Sequence, residues 1–248
     1  MHGKEVSQES RQKEQIERDR GRGTDMNIAI DGPAGSGKST IARILSQKLG
    51  FIYVDTGAMY RAIALYCLRK GLKAEEEEKI EGLLPEIQVS IAYEKGSQLV
   101  YLNGEDVSGL IRTPEVSAMT SPVAAYGPVR EKLLDLQRKL AKENDVVMDG
   151  RDIGTHVLPN AELKIYLTAS VETRALRRYK ELEEKGDKTP LSEIEESIRE
   201  RDERDMNREI APLKQAEDAY YLDSSDLSID EVVEKMEALV AEKKRRKG

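Results

Sequence analysis

The sequence predicts an α/β protein: a parallel sheet covered by helices on both faces, with a small β-rich insert. Three observations predict it. Apolar runs of strand length alternate with longer segments of helical periodicity, the pattern of βαβ units. The first two of those helical segments end on glycine, Gly50 and Gly71. One stretch, residues 86–108, breaks the alternation with hairpin signals.

In chain order, Met26–Asp31 is a short apolar strand leading into a glycine-rich turn. A helix follows over Ile41–Leu49, with Gly50 in the position of a left-handed C-cap. "FIYVD" (51–55) reads as the second strand and "GAMYRAIALYCLRKG" (57–71) as a helix whose Cys67 packs inward. The acidic stretch 73–84 is expected as a solvated helix face. Residues 86–108 read as two or three antiparallel strands, with turns at "YEKGSQ" and at the Asn-Gly of "LNGED". "DVVMDG" (145–150), "LKIYLTA" (163–169) and "AYYLDS" (219–224) are further strands. Between the last two, residues 181–192 are expected to form a mobile surface loop joining two helices. The terminal "EKKRRKG" reads as cationic capping of the last helix. Residues 1–25 hold only Met1, Val6 and Ile16 as apolar side chains, so a disordered extension is expected there.

Bulk properties narrow the function classes. A chain of 248 residues can build one α/β domain or a domain with inserted lobes. The formal net charge of −7 has the wrong sign for a protein that coats nucleic acid, although a local basic cluster can still grip an anion. No apolar run approaches the ~20 residues of a membrane span, and the N-terminus lacks the apolar core of a signal peptide. With one cysteine, no disulfide framework is available. The expectation is a cytoplasmic monomer that takes neither nucleic acid nor membrane as partner.

Gly32-Pro33-Ala34-Gly35-Ser36-Gly37-Lys38-Ser39, followed by Thr40, matches G-x-x-x-x-G-K-[ST] between a strand and a helix. Glycines let backbone N–H groups turn inward around phosphate oxygens, and the helix N-terminus adds partial positive charge. Lys38 would neutralise the terminal phosphates and the Ser39 hydroxyl would ligate Mg2+. Asp149, ending an apolar strand, is placed to hold the same ion through water. The pattern predicts a nucleoside triphosphate ligand. No Asn-Lys-x-Asp occurs, so a regulatory GTPase is disfavoured. A small-molecule kinase and a mechanical ATPase remain.

Arginines favour the kinase. An enzyme that phosphorylates a phosphate must bring two repelling anions together, and guanidinium forks suit that task. "VDTGAMYR" supplies Thr56 and Arg61; "MDGRDIGT" supplies Asp149, Arg151 and Asp152. In "RERDERDMNR", Arg201, Arg204, Asp205 and Arg208 fall at i, i+3, i+4 and i+7, one helical stripe. Read alone, such a stripe is a solvated face with salt bridges; beside a mobile loop it can close over a nucleotide and exclude water. Arg174, Arg177 and Arg178 form a weaker stripe.

Together, "IDGPAGSGKST", "DTGAMYRAIAL", "LNGEDVSGLIRTPEVS", "SPVAAYGPVR", "MDGRDIGT" and "RERDERDMNREIAPL" resemble the bacterial cytidylate kinases from about Met26 to Val233. The resemblance implies a P-loop NTPase fold with a five-stranded parallel sheet. It implies a core of residues 26–72 and 145–248, a nucleoside-monophosphate-binding insert over about 73–144, and a lid over about 174–208. It further implies transfer of the γ-phosphate of ATP, with Mg2+, to CMP or dCMP, giving (d)CDP and ADP in pyrimidine nucleotide metabolism. By motif position, Ser121, Arg130 and Asp152 would face the cytosine edge. Arg61, Arg151 and Arg208 would hold the acceptor phosphate, and Thr56 and Asp205 would approach the sugar. Lys38, Arg151 and Arg208 would carry catalysis. Other small-molecule kinases, for UMP, AMP or shikimate, are the alternatives within the class. An ATP-binding switch without acceptor chemistry is the alternative outside it.

Overall fold

The computed structural model describes residues 26–94, 96–184 and 186–247; the N-terminal extension read at 1–25 lies outside them. The chain begins with β1 (Asn27–Asp31), α1 (Lys38–Leu49), β2 (Ile52–Asp55) and α2 (Thr56–Arg69). Then come α3 (Glu77–Leu83), a 3-10 turn (Leu84–Glu86) and the strands β3 (Val89–Glu94), β4 (Ser97–Leu102) and β5 (Glu105–Asp106). Two helices, α4 (Pro114–Val123) and α5 (Gly127–Glu143), lead to β6 (Val146–Gly150), a π-turn (Ile153–Val157) and β7 (Leu163–Thr168). The chain finishes with α6 (Val171–Glu183), α7 (Leu191–Asn207), β8 (Tyr220–Asp223) and α8 (Ile229–Lys247).

The five-stranded sheet runs in the order β2-β6-β1-β7-β8, every pairing parallel. The three central strands are buried on both faces, which is why they read as continuous apolar runs. Side chains alternate between two cores, as a pleated strand requires. Ile28 and Ile30 of β1 and Val147 of β6 pack with α1 and α8. Ala29, Val146 and Met148 face the other way, toward Met59 and Ile63 of α2, Val116 of α4 and Leu133 of α5. Each fully buried aliphatic side chain contributes about 1.5–3 kcal/mol. Cys67 is buried in the second of these cores, as its helical position predicts.

Residues 86–108 form the antiparallel sheet β3-β4-β5, with Gly96 and Gly104 left-handed in its two turns. The acidic stretch is not merely a solvated face: α3 is short, and its Ile80 is fully buried. The loop read at 181–192 is shorter than expected, because α6 extends to Glu183 and α7 starts at Leu191.

Candidate active site

All five parallel strands end at the same edge of the sheet, and a cleft of about 640 Å³ opens there. Of the residues that the motifs and the resemblance place in the site, all but Gly32 and Pro33 line it, whereas Arg204, Arg174 and Arg178 of the two arginine stripes do not. Gly32 and Pro33 are buried beneath the loop. Gly32 has φ +150, and a Cβ on it would lie 1.9 Å from the Leu167 carbonyl oxygen, so no other residue fits. Gly35 and Gly37 are left-handed, and Gly37 caps α1, which therefore starts at Lys38 rather than at Ile41. That places Ser39 and Thr40 in the first turn, where backbone N–H groups lack intrahelical partners.

Lys38 Nζ donates to Pro33 O at 2.6 Å and to Ser36 Oγ at 3.3 Å. Burial, followed by the charge of Arg151, holds its pKa well below that of a free lysine. Ser39 Oγ donates to Asp149 Oδ2 at 2.8 Å, and Tyr53 OH donates to Asp149 Oδ1 at 2.9 Å. Burial and then the nearby Asp55 push the Asp149 carboxyl up to about 6. Asp55 caps α2 by accepting from Ala58 N, and it faces Arg61 at 3.9 Å and Arg112 at 2.9 Å. Thr56 donates its hydroxyl hydrogen to Asp149 O at 2.7 Å.

Across the cleft the charged groups interlock. Asp152 accepts from Arg130 Nη2, and its other oxygen lies 3.3 Å from Arg208 Nη2. The Arg130 guanidinium also sits over the Tyr60 ring, 5.5 Å from its centroid. Arg151 Nε donates to Asp205 Oδ2 at 2.8 Å. Burial pushes the Asp205 carboxyl up, but Arg151 and then Arg201 and Arg208 outweigh it, leaving the pKa below the usual value. Ser121 Oγ lies 3.2 Å from Arg204 Nη1. Arg201 is crowded by Arg151, Arg61 and Arg204, and its buried Nε has no protein partner among the described residues. Burial, then Arg151, lowers its pKa to about 10.

The four-residue stripe is not continuous. Arg208 lies past the end of α7 in extended backbone, and its guanidinium bends back to Ala211 O and Asp152. The Ala211 backbone is left-handed at φ 48. In the second stripe only Arg177 lines the cleft. Arg178 pairs with Glu181, while buried Arg174 pairs with Asp202 of α7 and donates to Ala34 O of the glycine-rich loop. Motif reading passed over Asp55, Tyr53 and Tyr60 as site groups. A strand-end aspartate three residues before Ala58 carries an N-cap signal, but the tyrosines sit in apolar patterns and give none.

The sequence model of the cytidylate kinase family matches residues 28–242. The chain belongs to the cytidylate kinase family. A cytidylate kinase of Caldicellulosiruptor saccharolyticus is 54% identical over 211 residues, 85% of this chain and 93% of the relative. Those of Lactobacillus johnsonii and Bacillus cytotoxicus are each 49% identical, covering 89% and 88% of this chain and 96% of theirs. A solved shikimate kinase from Acinetobacter baumannii aligns over 88% of the chain at TM-score 0.45 and 17% identity, too distant to bear on substrate. Membership in the cytidylate kinase family makes the chain an ATP-dependent (d)CMP kinase, and the UMP and shikimate alternatives are not favoured. No described helix is long and apolar enough to cross a membrane.

Proposed function

We propose that the glycine-rich loop, Lys38, Ser39 and Thr40 hold the phosphates of ATP while Arg61, Arg151 and Arg208 hold the phosphate of CMP or dCMP. An oxygen of the acceptor phosphate attacks the γ-phosphorus, the bond from that phosphorus to the β-bridging oxygen breaks, and ADP departs. The acceptor is already anionic, so no general base is needed. The transfer must overcome repulsion between the two anions, and preorganised cations offset it. Arg201 joins the catalytic set: a half-buried guanidinium crowded by three others, its buried Nε without a protein partner among the described residues, is best satisfied by an anion between them.

Asp152 and Ser121 offer acceptors to the cytosine amino group, and Arg130 offers donors to its ring nitrogen and carbonyl. A site built on buried polar groups rejects a base with the reversed pattern strongly. Because Thr56 already donates its hydrogen to Asp149 O, it would present a lone pair to a sugar hydroxyl, with Asp205 as second acceptor.

Ser39 and Asp149 suit magnesium, which favours oxygen ligands, keeps several waters and takes only one or two carboxylates. No group of three or more metal-binding side chains occurs among the described residues, so an all-protein cage is not what these groups resemble. When bound, Mg2+ neutralises charge on the β- and γ-phosphates. We further propose that residues 26–72 and 145–248 act as core, 73–144 as acceptor-binding insert and 174–208 as lid, and that the chain works as a cytoplasmic monomer.

The observation that carries this reading is the meeting, in one cleft, of the glycine-rich loop with Arg61, Arg151, Arg201 and Arg208. ADP release measured with CMP, dCMP, UMP and AMP tests it. CMP and dCMP should be faster than the other two; CMP no faster than AMP overturns the substrate assignment.

A further inference from the structure

Asp149 is 5% exposed and lies directly across from Asp55 in the β2–β6 ladder, so two carboxylates share one low-dielectric strand end. Such a carboxylate either takes a proton or turns away from its neighbour unless donors fix it. Two hydroxyls do so, one per oxygen: Ser39 on Oδ2 and Tyr53 on Oδ1. A carboxylate has about four lone-pair sites, so both oxygens keep one free. The phenol itself rests on a braced strand. Tyr93 OH of β3 donates to Tyr53 O at 3.1 Å, and Gln98 of β4 accepts from Asp55 N and donates to Asp55 O. The end of β2 is therefore pinned by the small sheet.

We infer that Tyr53 is a positioning residue for magnesium, its phenol orienting the Asp149 carboxylate so that Oδ2 and the Ser39 hydroxyl face the ion together. The inference rests on the assignment of Asp149 to the metal. Tyr53 does not line the cleft; it acts through Asp149. Outer partners of this kind typically carry a 10- to 100-fold share of metal affinity (roughly, by class).

Tyr53→Phe removes the hydroxyl and keeps the ring, so the fold is retained and is checked by circular dichroism. ATP binding is measured by calorimetry in excess Mg2+ and again in EDTA, together with the Mg2+ concentration that half-saturates the difference. In Tyr53→Phe, that concentration should rise about 10-fold while the Kd for ATP in EDTA changes less than about twofold. Tyr93→Phe removes one of the three hydrogen bonds that brace β2 and leaves the phenol–carboxylate bond and both Gln98 bonds in place, so the Mg2+ dependence should shift far less than in Tyr53→Phe. Asp149→Asn should abolish most of the gain from Mg2+. A Tyr53→Phe protein with wild-type Mg2+ dependence, or with equal losses in Mg2+ and EDTA, overturns the role of Tyr53 and leaves Asp149 as assigned. An Asp149→Asn protein that keeps the full Mg2+ gain overturns the metal assignment, and this inference with it.

Discussion

Asp152 shows how much one carboxylate can organise. It is 4% exposed and bridges Arg130 from α5 to Arg208 from beyond α7, so the groups proposed to hold the base edge and the acceptor phosphate share a single buried anchor. Removing one partner of such a group leaves charge uncompensated. Arg130→Ala should raise the KM for CMP about 10- to 100-fold and lower the CMP-to-UMP ratio of kcat/KM, with the KM for ATP within about twofold. Steady-state kinetics on both bases checks this; an unchanged ratio and unchanged CMP KM would remove Arg130 from the base site. Lys38 belongs to the side proposed to hold the donor. Its ammonium is folded onto Pro33 O and Ser36 Oγ, so little of the fold depends on its charge. Lys38→Ala should cut kcat by about 100-fold or more, the usual cost of losing one transition-state cation, with the melting temperature nearly unchanged. A large thermal destabilisation would instead make Lys38 structural.

Among the elements, the junction of β1 and α1 is the most constrained. The Gly32 backbone passes against the Leu167 carbonyl of β7, at φ +150, where L side chains are disfavoured. Gly32→Ala therefore combines overpacking with backbone strain. It should cost about 3 kcal/mol or more, which for a domain of this size is a fall of roughly 6–12 °C in Tm. Thermal unfolding of the purified variant measures it, and a wild-type Tm would contradict the close approach. The loop of this junction was legible in sequence from its glycine, lysine and serine spacing, but the helix start was not: α1 opens at Lys38, three residues before the apolar periodicity begins at Ile41. The strands were legible too, since β1, β6 and β7 are buried on both faces and read as unbroken apolar runs. Two further features were not. Arg208 fits the 3.6-residue stripe, yet its own backbone is extended; its guanidinium is held by Ala211 O and by Asp152, fifty-six residues away, contacts that helical periodicity does not encode. Similarly, α4 and α5 were absorbed into a lobe read mainly from its strands. The signals for them, Thr113-Pro114 and Gly127-Pro128, open helices but also mark turns.

For the molecule as a whole, the two halves of the cleft meet through Asp31. It ends β1, immediately before the phosphate-binding loop, and its carboxylate accepts from Ile153 N and Gly154 N, both at 2.7 Å, in the π-turn that follows Arg151 and Asp152. Sequence patterning made Asp31 legible as a strand end but not as a tie, because its partners lie more than 120 residues away. Burial pushes its pKa up to about 7, against the opposing pull of the two N–H groups; Asp152 raises it further and Lys38 lowers it. The folded protein thus binds this proton more tightly than the unfolded chain, whose aspartates titrate near 3.9. Stability from this group is fully present below about pH 4 and is lost as the pH rises through about 7. Asp31→Asn removes the titration. Between pH 4 and 7 the stability of the natural protein relative to Asp31→Asn should therefore grow on acidification, with a limiting slope of about 1.4 kcal/mol per pH unit, and should level off above pH 8. Denaturant unfolding of both proteins across that range measures the difference. Parallel curves would mean that Asp31 keeps its charge throughout, and that the tie between donor loop and acceptor turn withstands burial without help from a proton.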